Sequence, residues 1–122
     1  MRNSKVLVIE DNTKVLFAFQ SLLQKEDVVS ISALNGREAL EKLNKEKPGI
    51  IFLDLSLPDI KGLHLIKKIK KLFPEKAIIV VTSIETRDLV KKAMDYGAIA
   101  HLEKPLSVKA IRKVLNKIKN IV

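Results

Sequence analysis

The stretch Ile50-Ile51-Phe52-Leu53-Asp54-Leu55-Ser56-Leu57-Pro58 runs four large apolar residues straight into a carboxylate and then into a proline-stopped loop. An apolar run of this length, without alternation, fits a strand buried on both faces of a parallel sheet. Asp54 then falls at the carboxyl end of that strand. In open α/β sheets this is the edge where ligands bind, in the crevice at which strand order reverses. A carboxylate placed there is costly unless a metal, a cation or a proton neutralises it. The partners must come from elsewhere in the chain.

A second β-branched run, Lys5 to Ile9, also ends in acids, Glu10 and Asp11. Asp11 or Asn12 can cap the helix that follows, where Val15, Phe19, Leu22 and Leu23 recur at helical spacing as far as Glu26 and Asp27. Val28 to Ala33 reads as a short strand, and Asn35-Gly36 turns the chain into a helix with Ala39, Leu40 and Leu43 inward, ending before Pro48. After Asp54, residues 58 to 62 form a loop, and Leu63, Ile66, Ile69 and Leu72 mark a helix stopped by Pro74. Ala77 to Val81 is a fourth strand that delivers Thr82 and Ser83. The next helix carries Leu89, Val90, Ala93 and Met94 and closes at Gly97, a left-handed cap. Ile99 to Leu102 is a weaker strand handing over Glu103, Lys104 and Pro105. Ser107 caps a last helix with Ile111, Val114, Leu115, Ile118 and Ile121 on its inner face. Strand and helix alternate five times with short connections, which predicts an α/β fold with a parallel sheet covered on both faces.

The 122 residues suffice for one core and are too few for two, so residues 1–122 are expected to form one domain. Without cysteine, disulfides and thiolate chemistry are excluded. The run Val6 to Ile9 is too short for a signal-peptide core or a membrane span, and a cytoplasmic protein is expected. The net charge of +9 comes with lysine clusters on three of the expected helices. Such clusters can bind nucleic acid, acidic lipid or an acidic partner, but solvated helix faces are the plainer reading. No DNA-binding motif or stacking aromatic series accompanies them, so direct nucleic-acid binding is not expected.

The strand ends together offer Glu10, Asp11, Asp54, Thr82 and Lys104. Three carboxylates in one crevice repel one another and need a cation; hard oxygen ligands select Mg²⁺, or Mn²⁺, over zinc. A divalent ion, a lysine and a hydroxyl together bind a phosphoryl group, and an aspartate beneath it can attack phosphorus to form an acyl phosphate.

At these residues the chain resembles, over its whole length, the receiver domain of two-component response regulators. The resemblance is carried by Glu10-Asp11, Asn35-Gly36-Arg37-Glu38-Ala39-Leu40, Asp54 with Leu57-Pro58 and Gly62, Thr82, Tyr96-Gly97-Ala98 and Lys104-Pro105. It implies a flavodoxin-like three-layer fold with strand order 2-1-3-4-5 and five helices. It implies that Asp54 accepts a phosphoryl group from a phosphohistidine on a sensor histidine kinase or histidine phosphotransfer protein. Mg²⁺ would be held by Asp11, Asp54 and the backbone carbonyl of Ser56, with Glu10 acting through the ion's waters. Lys104 would pair with phosphoryl oxygens, Thr82 would move to bond one of them, and the Lys104–Pro105 bond would be cis. The face of residues 86 to 96 and 99 to 121 would then change its affinity for a downstream protein or for an output domain outside this chain, and a homodimer on phosphorylation is compatible with this. Catalysis in the ordinary sense is not implied beyond self-phosphorylation and self-dephosphorylation.

The fifth-strand switch position, usually tyrosine or phenylalanine, holds His101, which either substitutes for the aromatic ring or makes switching pH-sensitive. The resemblance also implies that Ser56 and Ile84 would line the path of the hydrolytic water, and a branched apolar residue at 84 should then slow loss of the phosphoryl group. His64 reads as a surface residue, Asp59 as a turn residue, and Met94 and Tyr96 as core or boundary packing. Three rivals share parts of this pattern. A haloacid-dehalogenase-like phosphotransferase wants a second acid where Ser56 stands. A flavodoxin wants a hydroxyl- and glycine-rich loop after the first strand. A phosphorylation-independent docking module would keep the fold without the chemistry.

Overall fold

Asp54 closes the middle of five parallel strands. The computed structural model describes residues 5–119. In chain order it contains β1 (Val6–Ile9), α1 (Thr13–Lys25), β2 (Ser30–Ala33), α2 (Gly36–Glu46), β3 (Ile50–Asp54), α3 (Gly62–Leu72), β4 (Ala77–Thr82), α4 (Val90–Asp95), β5 (Ala100–Glu103) and α5 (Val108–Lys119). A 3₁₀ turn, Arg87–Leu89, precedes α4. The strands pair in the order β2-β1-β3-β4-β5, the flavodoxin-like arrangement, with Ile9 beside Leu53 and Asp54 beside Val81. All carboxyl ends therefore lie along one rim. The reversal of order falls between β1 and β3, directly at Asp54.

Alternate residues of the continuous apolar strands feed two separate cores. Val6, Val8, Ile50, Phe52, Ile79 and Val81 pack against α1 and α5, where the Phe19 and Phe52 rings meet edge to face at 4.9 Å. Leu7, Ile9, Ile51, Leu53, Ile78 and Val80 pack against α2, α3 and α4. Because both faces of β1, β3 and β4 are covered, their sequences show no polar alternation. β5 at the edge does alternate, with Ala100 and Leu102 buried and His101 and Glu103 exposed.

The element boundaries follow local capping. Asn12, rather than Asp11, caps α1, its side chain accepting the Lys14 and Val15 amides. Asn35 accepts the Glu38 amide while Glu38 reaches back to the Leu34 amide, a reciprocal capping pair. Ser107 accepts the Ala110 amide at the head of α5. Four expectations are corrected. β2 begins at Ser30, because Asp27 at φ 60° and the Val28 amide, bonded to Leu23 carbonyl, still belong to the end of α1. The fourth helix region opens as a 3₁₀ turn, so regular α-helix starts only at Val90. Leu72 fits the helical spacing but is exposed, since the last turn of α3 runs past the edge of the core. Met94 is also exposed, and Ala93 is the α4 residue that enters the core. Ile121, expected on the inner face of the last helix, lies outside the described residues.

Candidate functional site

Each functional side chain sits one step beyond an apolar strand, where the backbone is fixed by the sheet and the side chain projects over the rim. Glu10 follows β1 and is 2% exposed, Asp54 ends β3 and is 5% exposed, and Asp11 is open to solvent. Carboxylate oxygens of these three acids lie within 4.8 Å of one another. Lys104 reaches them from beyond β5, anchored by its amide on the Thr82 carbonyl at 2.8 Å and followed by a cis bond to Pro105. Its Nζ lies 2.9 Å from Glu10 Oε1 and 3.1 Å from Asp54 Oδ2. The second oxygens are also engaged: the Asn12 amide donates to Glu10 Oε2 and the Ser56 amide to Asp54 Oδ1.

The charges respond to this crowding. Burial raises the Glu10 carboxyl above its ordinary range, assisted by the charge of Asp54 and opposed by the bonds from Lys104 and the Asn12 amide. Burial alone would lower the Lys104 ammonium, but its hydrogen bond to Glu10 and the charge of Asp54 outweigh that and raise it. Lys104 therefore stays a cation across the neutral range. One ammonium pairs with two buried acids, and the exposed Asp11 completes a set of three hard oxygen donors. That donor set fits Mg²⁺ and offers no soft ligand.

The remaining expected residues are placed as follows. Thr82 is buried, and its hydroxyl donates to the Leu102 carbonyl at 3.4 Å, toward β5. Ser56 is exposed beside Asp54. Ile84 is 76% exposed and lines a cleft of about 540 Å³ with Val15, Ala18 and Leu22 of α1 and Pro105 and Leu106 after β5; Lys104 stands at its margin. His101 projects outward from β5, and His64 is on the surface. Tyr96 is half-buried under the Lys67 ammonium, 4.3 Å from the ring centre.

Three further partnerships brace the loops, two of them between distant parts of the sequence. Thr86 is buried and accepts the Ser83 amide at 3.0 Å, closing the loop after β4; the Ser-x-x-Thr spacing was its only signal. Arg87 forms a two-pronged pair with Glu103, at 3.1 and 2.9 Å, tying the start of the α4 region to β5. Asp59 is more than a turn residue, because it accepts the Gly36 and Arg37 amides of α2.

An acid triad and a lysine converging at the switch point of a 2-1-3-4-5 sheet invite comparison with known proteins. The response regulator receiver domain family matches residues 6–116. The chain belongs to this family. It is 31% identical over 115 residues to the chemotaxis protein CheY of Thermotoga maritima, covering 93% of this chain and 96% of that protein. It is 27% identical over 117 residues to sporulation initiation phosphotransferase F of Bacillus subtilis, covering 96% of this chain and 94% of that protein. Among solved structures, a CheY-like receiver domain protein from Methanospirillum hungatei superposes with a TM-score of 0.82 at 29% identity, covering 96% of this chain and 91% of that one. Receiver domains are phosphoacceptor switches of two-component systems that bind Mg²⁺ at an acidic pocket. Among the described residues of this receiver domain, no helix is long and apolar enough to cross a membrane.

Proposed function

We propose that this receiver domain takes a phosphoryl group onto Asp54 from a phosphohistidine of a sensor kinase or phosphotransfer protein. The observation that carries the reading is Asp54 itself, a buried strand-end acid held at 3.1 Å by the Lys104 ammonium within an acid cluster. Asp11, Asp54 and the Ser56 carbonyl would hold Mg²⁺, with Glu10 acting through its waters. The bound ion would neutralise phosphoryl oxygens as a Lewis acid.

The chain's own groups do the rest. An Asp54 oxygen forms the O–P bond as the P–N bond to the donor imidazole breaks, the ring keeping the electron pair. Lys104, already protonated and aimed at Asp54, pairs with a phosphoryl oxygen. The Thr82 hydroxyl, now spent on a long bond to Leu102, exchanges it for another phosphoryl oxygen. The apolar cleft between α1 and the loops after β4 and β5 adjoins Lys104. Movement of Thr82 would be transmitted to the α4, β5 and α5 face, where His101 and the Arg87–Glu103 pair are exposed, and would change affinity for a downstream protein or output domain.

Incubation with acetyl phosphate and Mg²⁺ followed by intact mass should show one added phosphoryl group, absent in Asp54→Asn. An unlabelled parent, or an equally labelled variant, would turn the reading toward a docking module that works without phosphorylation.

A further inference from the structure

The loop between β3 and α3 enters the proposed mechanism only at Ser56, yet its far end is bound to a different element. Asp59 Oδ1 accepts the Gly36 amide at 2.8 Å and Oδ2 the Arg37 amide at 3.1 Å. These are the first two residues of α2, whose opening amides have no partner within the helix. Asn35 satisfies only the Glu38 amide, so the head of α2 is completed by a carboxylate more than 20 residues further along the chain. The contact is close as well as polar: a side chain at Gly36 would collide with Ile60 Cγ2. The hydrogen bond from the Gly36 amide, opposed by burial and helped by that from Arg37, draws the Asp59 carboxyl below its ordinary range.

The base of the same loop is closed separately. The Leu55 amide donates to the Val81 carbonyl, the Ser56 amide to Asp54 Oδ1, and the Gly62 amide to the Leu55 carbonyl. Gly62 packs so near Leu55 that a Cβ would stand 2.6 Å from the Leu55 Cα. Ser56 thus lies in a segment fixed at its base by β3 and β4 and at its tip by α2.

We propose that Asp59 is a positioning residue for the metal site, seating the loop on the head of α2 so that the backbone at Ser56 is ordered before Mg²⁺ arrives. The proposal rests on the reading of the Ser56 carbonyl as a ligand. A loop without this attachment would have to be ordered by the ion itself, at the expense of its affinity.

Calorimetric titration of Mg²⁺ into the unphosphorylated parent, Asp59→Ala and Asp59→Asn, with hydrogen exchange at residues 55 to 62, tests this. Asp59→Ala should weaken Mg²⁺ by about tenfold, the size of effect seen when an outer partner of a metal ligand is lost, and should speed exchange across the loop. Asp59→Asn loses the charge but keeps one acceptor oxygen, so it should recover much of both. Equal weakening in the two variants with unchanged exchange would assign the effect to charge alone and overturn the proposal, as would parent-like binding in Asp59→Ala. A parent that binds no Mg²⁺ would overturn the metal reading and this proposal with it.

Discussion

Lys104 shows what a single residue contributes here. Its ammonium neutralises two buried acids at once, which any switch chemistry must then disturb. Lys104→Met keeps the apolar stem and removes the charge, leaving Glu10 and Asp54 facing each other. The variant should lose about 1–3 kcal/mol of stability without divalent ions, the range for leaving a buried polar group without its partner. Mg²⁺ should then raise its melting temperature more than the parent's, and equal shifts in the two proteins would count against the charge argument. Asp59 gives a pH dependence of opposite origin. Its folded pKa is depressed, so its stabilisation is complete above the ordinary aspartate value of 3.8 and is lost as pH falls through the folded value. The stability gap between the parent and Asp59→Asn, measured by denaturant melts, should therefore be open at neutral pH and close in acid. Glu10 with Asp11, Asp54 and Lys104 could be singled out in the sequence because they follow three separate apolar runs. The Lys104–Glu10 pair and the Asp59 attachment could not, since their partners are distant in sequence and nothing local marks them.

At the scale of elements, the strands were readable where they are buried on both sides and ambiguous where they are not. β3 and β4 are uninterrupted apolar runs. The start of β2 misleads because Val28 has a strand-like side chain while its backbone, following a left-handed Asp27 and bonded to the Leu23 carbonyl, is still leaving α1. Helical spacing likewise locates α3 but does not say where its last turn outruns the core, which is why Leu72 is exposed. The junction of β3 and α3 is the most constrained of these joints. Gly62→Ala would press a methyl group against the Leu55 backbone and Cδ2, at 2.6 and 2.8 Å, and backbone cannot swing aside as a side chain can. A loss of about 1–3 kcal/mol is expected from such overpacking. Urea titration of the variant measures it, and a midpoint matching the parent's would show that the loop yields without cost.

For the whole molecule, alternating strands and helices with short connections pointed to a parallel sheet covered on both faces, whereas the strand order 2-1-3-4-5, which the sheet adopts, was implied only by the resemblance to receiver domains. The surface is where sequence says least, because a net charge of +9 does not reveal which cations are paired. The structure separates them. Lys5, Arg37, Arg87, Lys91 and Arg112 each have an acidic partner, whereas Lys68 and Lys71 on α3 have none among the described residues. Exposed pairs contribute little individually, so at low salt the unrelieved repulsion among like charges should dominate the electrostatic balance. Lys68→Glu removes one exposed cation and places an acid three residues before Lys71, a spacing worth about 0.2–0.5 kcal/mol on a helix surface. The variant should melt above the parent in dilute buffer. The difference should shrink near physiological ionic strength, where the screening length falls to about 8 Å. A gain that persisted unchanged in high salt would have to come from packing or helix propensity, and the repulsion argument would fail.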